Sequence, residues 1–239
     1  MEATNRNINK SKPKIWFKYL VKFVAQVILL SGILLFAVLL IFRWVPIPTS
    51  AFMVQSQKQV TYQWASWDEI SPHLAIAVIA SEDQRFPQHW GLDTIELRKV
   101  FIEKRQRKGK STPRGASTIT QQVAKNLFLW NSRSYLRKAI EAGLAVAIEI
   151  TWPKKRILEV YLNIAQFGDA IFGAEMASEK LFDKPAAKLN RSESALLASV
   201  LPRPAVSNVK KPNPRLVKKQ QWVLKQMKQL GGLNYLRRL

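Results

Sequence analysis

Two adjacent acids, Glu82 and Asp83, follow the apolar run Leu74 to Ala80, at what the pattern makes the C-terminal end of a helix. That end carries the negative pole of the helix, so carboxylates there need a reason. One reason is plain solvent exposure or an ion pair with Arg85. The other is a carboxylate kept for general-base work, with Phe86, His89 and Gly91 following at short spacing. A second polar group lies in Gly115 to Asn126. If that segment is helical, Thr118, Gln122 and Lys125 fall at i, i+4 and i+7 and share a stripe, with Ser117 and Gln121 beside it. Such a stripe is either an exposed polar face or a convergence of donors and one cation. Ser117 at the helix start, near free backbone N–H groups, would suit a phosphate. Arg133, Arg137, Lys138 and Glu141 come next, and Arg137 with Glu141 is by itself an ordinary i, i+4 surface pair. Lys155, Glu159 and Tyr161-Leu162-Asn163 read as an amphipathic helix with a mainly structural role, Asn163 being placed to hold a loop.

The elements that must position these residues read as mainly α. Ser71-Pro72 is an N-cap and first-turn pair that opens the helix leading to Glu82. Further helices are predicted over Thr94 to Lys104, Ser117 to Leu129, Tyr135 to Ile150, and from beside Pro153 to Asn163. Others follow over Ala174 to Leu181, Ser192 to Leu201 and Pro214 to Leu230, the last closed by Gly231-Gly232. A basic loop, Arg105 to Arg114, separates the second and third helices, and Met53 to Trp64 reads as a strand or an extended linker.

Phe23 to Phe42 is a run of 20 residues without a charge, enough at helical rise to cross about 30 Å of hydrocarbon. Arg6, Lys10, Lys12, Lys14, Lys18 and Lys22 precede it against the single acid Glu2, and only Arg43 follows closely. The positive-inside bias puts the N-terminus in the cytoplasm and the rest of the chain outside. The run exceeds a signal-peptide core and no A-x-A site follows it, so an uncleaved anchor is expected. The organisation is then a cytoplasmic basic tail (1–22), a transmembrane helix (23–42), a linker (43–65), a catalytic domain (66–210) and a basic C-terminal helix packed on it (211–239).

The 239 residues carry 38 Lys+Arg against 16 Asp+Glu, a formal charge of +22. Outside the cytoplasm that charge meets no nucleic acid, which leaves lipid head groups, pyrophosphate or anionic wall polymers as counter-anions. Cysteine is absent and the two histidines are His73 and His89, so disulfides, thiol nucleophiles and multi-histidine metal sites are excluded. Any metal must bind through carboxylates.

Taken together the segments resemble the peptidoglycan glycosyltransferases, glycosyltransferase family 51. Glu82 to Gly91 is similar to the family's E-D-x-x-F-x-x-H-x-G, and Gly115 to Asn126 to G-x-S-T-I-T-Q-Q-x-x-K-N, with every specified position present. Arg137 to Glu141 resembles R-K-x-x-E, Lys155 to Asn163 the fourth motif, and Gly173-Ala174 to Phe182 a looser fifth. The likeness covers about Pro46 to Pro204. With no room before Leu239 for a transpeptidase half, the chain resembles the monofunctional branch.

The resemblance implies a lysozyme-like fold with a large lobe and a small membrane-dipping jaw, in the inner membrane of a bacterium. It implies polymerisation of lipid II and the growing lipid-linked strand into β-1,4 glycan, with release of undecaprenyl pyrophosphate. Glu82 would be the base, Gln122, Lys125 and Arg133 would hold the pyrophosphate, and Glu141 would be the second acid. Asp83, Ser117, Gln121 and Arg137 would support them. No cofactor is obligatory, although the resemblance leaves room for a divalent cation, magnesium or manganese, at Glu141. Membrane lipids and cell-division or elongation proteins are the expected partners, and moenomycin the expected inhibitor. A lytic transglycosylase or muramidase of the same fold is the competing reading, and a non-catalytic wall scaffold a third. Cleaving a neutral glycosidic bond has no use for a pyrophosphate cradle, which separates synthesis from lysis.

Overall fold

The computed structural model describes residues 12–106, 117–132 and 134–239. The basic tail before residue 12, most of the basic loop Arg105 to Arg114, Gly115-Ala116 of the second motif, and Arg133 lie outside the described residues. The chain divides into two units, residues 1–44 and Val45–Leu239.

The first unit is one helix, α1 (Lys12–Phe42), of which Trp16–Phe42 is long and apolar enough to cross a membrane. It starts well before Phe23. Nothing between Lys14 and Lys22 breaks a helix, and Pro13 sits in the first turn, where its missing N–H costs no bond.

The second unit begins with a short helix, α2 (Ala51–Val54), capped by Ser50, and a strand, β1 (Thr61–Tyr62). The segment expected as a linker is therefore folded from Val45 on: Ile47, Ser50, Met53 and Ala65 are all buried. The strands β2 (Gln166–Gly168) and β3 (Ile171–Phe172) complete a small sheet in the order β1-β3-β2. β1 runs parallel to β3 with Thr61 opposite Ile171, and β2 runs antiparallel to it. The strand-or-linker segment Met53 to Trp64 contains β1, whereas β2 and β3 carry no sequence signal, because strands of two or three residues are too short for a period-2 pattern to register.

The other regular elements among the described residues are helices. Ser71 caps α3 (Pro72–Glu82), in which every residue from Leu74 to Ala80 is buried. A helix apolar on all sides belongs at the centre. Around it pack α9 (Arg191–Val200), α10 (Pro214–Gln229) and the final 3-10 turns, Gly232–Arg238. The basic C-terminal helix is thus part of the domain's packing, with Leu216, Val223 and Met227 inward and its lysines outward. A second layer consists of α5 (Ile119–Phe128) against α6 (Tyr135–Thr151) and α7 (Lys154–Ile164). The helices α4 (Thr94–Gln106) and α8 (Ala174–Phe182) complete the described set.

Two glycines fasten these layers. Gly173 has φ +82°, and a Cβ there would stand 2.7 Å from the Asn163 carbonyl oxygen. Gly91 has φ +76°, and its Cβ would meet the Ala145 carbonyl at 3.0 Å. Only glycine adopts such angles at such close approach without strain.

Candidate active site

Glu82 is the last residue of α3, and Asp83 is its C-cap. The two adjacent acids have different fates. Asp83 is buried and accepts hydrogen bonds from His89 Nε2 at 3.0 Å and from the Ile119 backbone N–H at 2.9 Å. Ile119 opens α5, so the carboxylate that is unfavourable at the end of α3 sits at the positive pole of α5. Asp83 thereby clasps two helices. Thr118 Oγ1 donates to the Gly91 carbonyl, and Lys154 Nζ donates to the His89 carbonyl at 2.6 Å and to Glu149 at 2.7 Å. These bonds hold the Glu82–Gly91 segment against α5, α6 and α7.

Glu82 keeps no backbone donor of that kind. Gln122 Nε2 donates to its Oε2 at 3.0 Å, and Ser81 Oγ to its Oε1 at 3.2 Å. Gln122, expected among the pyrophosphate ligands, is engaged with the carboxylate, and its own Oε1 accepts a bond from Tyr161 OH at 3.1 Å. Burial holds the Tyr161 hydroxyl well above the ordinary phenol range, and the charges of Glu82 and Asp83 push the same way. Tyr161 was read from sequence as structural. A fully buried tyrosine on an apolar helix face must find a partner for its hydroxyl, which is the signal that could have flagged it.

The helix start differs from the expectation at Ser117. Thr118 is the N-cap of α5 and forms a capping box with Gln121, whose Oε1 accepts from the Thr118 N–H at 3.1 Å. Thr118 and Gln121 are buried in that role and leave the polar stripe. Ser117 instead accepts a bond from Lys138 Nζ at 2.8 Å.

A cationic group stands beside Glu82. Glu141 is 2% exposed and takes Arg137 Nη1 at 2.6 Å on Oε2 and Lys138 Nζ on Oε1. The i, i+4 pair is therefore a buried one. Lys125, half-buried over the Phe52 ring, completes the group. Burial lowers its ammonium below the usual lysine range, Glu141 pulls it back up, Arg137 and Lys138 push it down, and Glu82 raises it. Three cations thus face one buried acid. The sequence marks Lys138 as part of the R-K-x-x-E motif but assigns it no role, because at i, i+3 from Glu141 it reads as a solvated lysine.

That setting does not suit a divalent cation at Glu141. Both carboxylate oxygens already hold cations, and a third lies within electrostatic reach. Among the described residues, Asp83, His89 and Asp93 bring potential ligand atoms within 4.8 Å of one another. Asp83 and His89 are bonded to each other, Asp83 also takes the Ile119 N–H, and Asp93 takes Arg85 Nε at 3.1 Å and the first N–H groups of α4.

Glu82 also lines a cleft of about 920 Å³ between the end of α3, α4 and α10. Its walls include Arg85, Glu96, Lys99, Ser117 and Trp222. Arg85 is paired with Asp93 and Lys99 with Glu96, so this cleft lacks the surplus positive charge of the Lys125 side. In the fourth motif, Arg156 bridges Glu159 at 2.8 Å, and Asn163 exchanges two bonds of 2.8 Å with the Ala65 backbone, which holds the loop after β1 in place.

A carboxylate that lines a cleft, with a cationic group close by, is an arrangement that glycosyl transfer can use. The profile of the transglycosylase family matches residues 50–228. A biosynthetic peptidoglycan transglycosylase of Citrobacter koseri is 48% identical over 218 residues, spanning 87% of this chain and 87% of the relative. A protein of the same name from Escherichia coli (strain K12 / DH10B) is 46% identical over 226 residues, 90% of this chain and 93% of its own. The chain belongs to the transglycosylase family and is a glycosyltransferase enzyme of the kind these relatives represent.

Proposed function

We propose that the chain polymerises lipid II into β-1,4-linked glycan and releases undecaprenyl pyrophosphate. The observation that carries this reading is the setting of Glu82: it lines a cleft whose walls carry five carboxylates against three cations, while Lys125, Arg137 and Lys138 gather around Glu141 nearby. The acceptor sugar occupies the cleft and presents its 4-hydroxyl to Glu82. Glu82 takes the hydroxyl proton as the oxygen bonds to the donor's anomeric carbon, with inversion, and the bond from that carbon to the pyrophosphate oxygen breaks. Negative charge develops on the departing pyrophosphate, and preorganised cations stabilise it most where charge appears. Pyrophosphate is a weakly basic leaving group, so a second carboxylic acid to protonate it, as in glycoside hydrolysis, is not required.

Arg133, four residues before Arg137, belongs to the same donor site in this reading. Lys125 and Arg133, with Arg137 and Lys138 held on Glu141, neutralise the pyrophosphate without an obligatory metal. The α1 helix anchors the enzyme beside its lipid-linked substrate, with the N-terminus in the cytoplasm and the catalytic domain outside, in contact with membrane lipids. Division or elongation proteins are its expected partners.

The test uses detergent-purified protein and labelled lipid II, with and without EDTA, with products resolved before and after muramidase digestion. Muramidase-sensitive polymer from wild type, in EDTA as well, and none from a folded Glu82→Gln variant is expected. Normal turnover by Glu82→Gln would refute the base assignment, and shortening of preformed strands without synthesis would favour the lytic reading.

A further inference from the structure

We propose that Tyr161 is a positioning residue for the base: its hydroxyl fixes the orientation of the Gln122 amide, so that Glu82 always faces an N–H and never a carbonyl oxygen. The inference rests on the reading of Glu82 as base.

A glutamine amide has two faces of nearly equal size and opposite polarity, and sterics alone do not choose between them. Beside an ionised carboxylate the NH2 end is preferred. Once Glu82 has taken the acceptor's proton, its new O–H would prefer the amide oxygen, and Gln122 would gain by turning over. An amide that turns with each proton transfer would stabilise protonated Glu82 and leave a poor base for the next sugar. Tyr161 opposes the turn. Its side chain is 1% exposed, and its hydroxyl donates to Gln122 Oε1 at 3.1 Å while Gln122 Nε2 reaches Glu82 at 3.0 Å. Turning the amide would place NH2 against that hydroxyl and leave a buried O–H proton without an acceptor. The hydroxyl does not ionise in the working range, because burial and the two acids hold its proton on. It is a permanent donor.

The arrangement spans three elements: Glu82 ends α3, Gln122 lies in the first turns of α5, and Tyr161 lies late in α7. Ser81 supplies the bond to the other carboxylate oxygen, at 3.2 Å, but it sits on the same helix as Glu82 and reports nothing across the site.

The experiment is steady-state polymerisation of labelled lipid II by full-length Tyr161→Phe across a range of pH. Loss of the hydroxyl should lower kcat about tenfold, the factor for one well-placed hydrogen bond. KM should be unchanged, because the buried ring touches no substrate. The acid limb of the kcat profile should move to higher pH, since the carboxylate loses its assured donor. Gln122→Met should move the acid limb the same way, and adding Tyr161→Phe to it should have no further effect. Tyr62→Phe is the control: it also loses a tyrosine hydroxyl bond, to the Ile47 carbonyl and not to the Glu82–Gln122 pair, and should keep the wild-type profile. A wild-type profile in Tyr161→Phe, a change confined to KM, or additive effects in the double variant would overturn the proposal. Absence of polymer from wild type would instead remove the functional reading beneath it.

Discussion

Replacing Glu141 with glutamine removes the one acid that the cationic group surrounds. The carboxylate is 2% exposed, and the Arg137 side chain is 12% exposed, so Glu141→Gln leaves a guanidinium largely out of water without its counter-charge. Breaking a buried pair from one side costs about 3 kcal/mol, and the retained amide can recover part of one hydrogen bond. Lys138 adds little to this figure, because its side chain is 43% exposed and water takes the carboxylate's place. At roughly 2–4 °C per kcal/mol for a domain of this size, the melting temperature should fall by about 6–12 °C. Far-UV circular dichroism of detergent-solubilised protein measures that fall. A second effect follows at Lys125. Glu141 is the neighbour that most offsets the burial of the ammonium, while Arg137 and Lys138 depress it further. Without Glu141 the lysine loses its proton at lower pH, so the alkaline limb of polymerisation should move down in the variant. A melting temperature within about 2 °C of wild type would show that the buried pair contributes no net stability. An unmoved alkaline limb would show that Lys125 is not coupled to Glu141 in the reaction.

In the wild type, a Lys125 ammonium lowered by burial should give an alkaline limb that begins below the usual lysine range, because the cation is lost as pH rises through the lowered value. Lys125→Arg should retain binding and move that limb up, since a guanidinium does not titrate there; an identical limb in both proteins would remove Lys125 from the donor site. Gly173→Ala should destabilise the domain by about 2 kcal/mol or more, through a positive φ and a Cβ 2.7 Å from the Asn163 oxygen, and should lower the melting temperature measurably. A neutral Gly173→Ala would mean that the turn after β3 can move without disturbing the Asn163 clamp on Ala65.

Much of the site was legible as residue types at fixed spacing. Glu82 at the end of an apolar helix, Lys125 on the polar face of α5, and the Arg137–Glu141 pair one turn apart are local facts, set by a rise and a period that every α-helix shares. The helix long and apolar enough to cross a membrane was legible for the same reason, since length and absence of charge decide whether a helix can cross hydrocarbon. The cap residue Ser71 marked its helix start to the residue, since an N-cap acts on N–H groups two or three positions away.

Only the tertiary structure decided which acid was left available for chemistry. Glu82 and Asp83 are neighbours of equal charge at the same helix end, and no local rule separates them. What separates them is the start of α5, 36 residues later, which takes Asp83 through the Ile119 N–H and leaves Glu82 to Gln122 and the cleft. Burial of Glu141, the bond from Gln122 to Glu82, and the bond from Tyr161 to Gln122 have the same origin. Each depends on α5, α6 and α7 packing side by side, and hydrogen bonds between helices follow the packing geometry and not the order of residues along the chain.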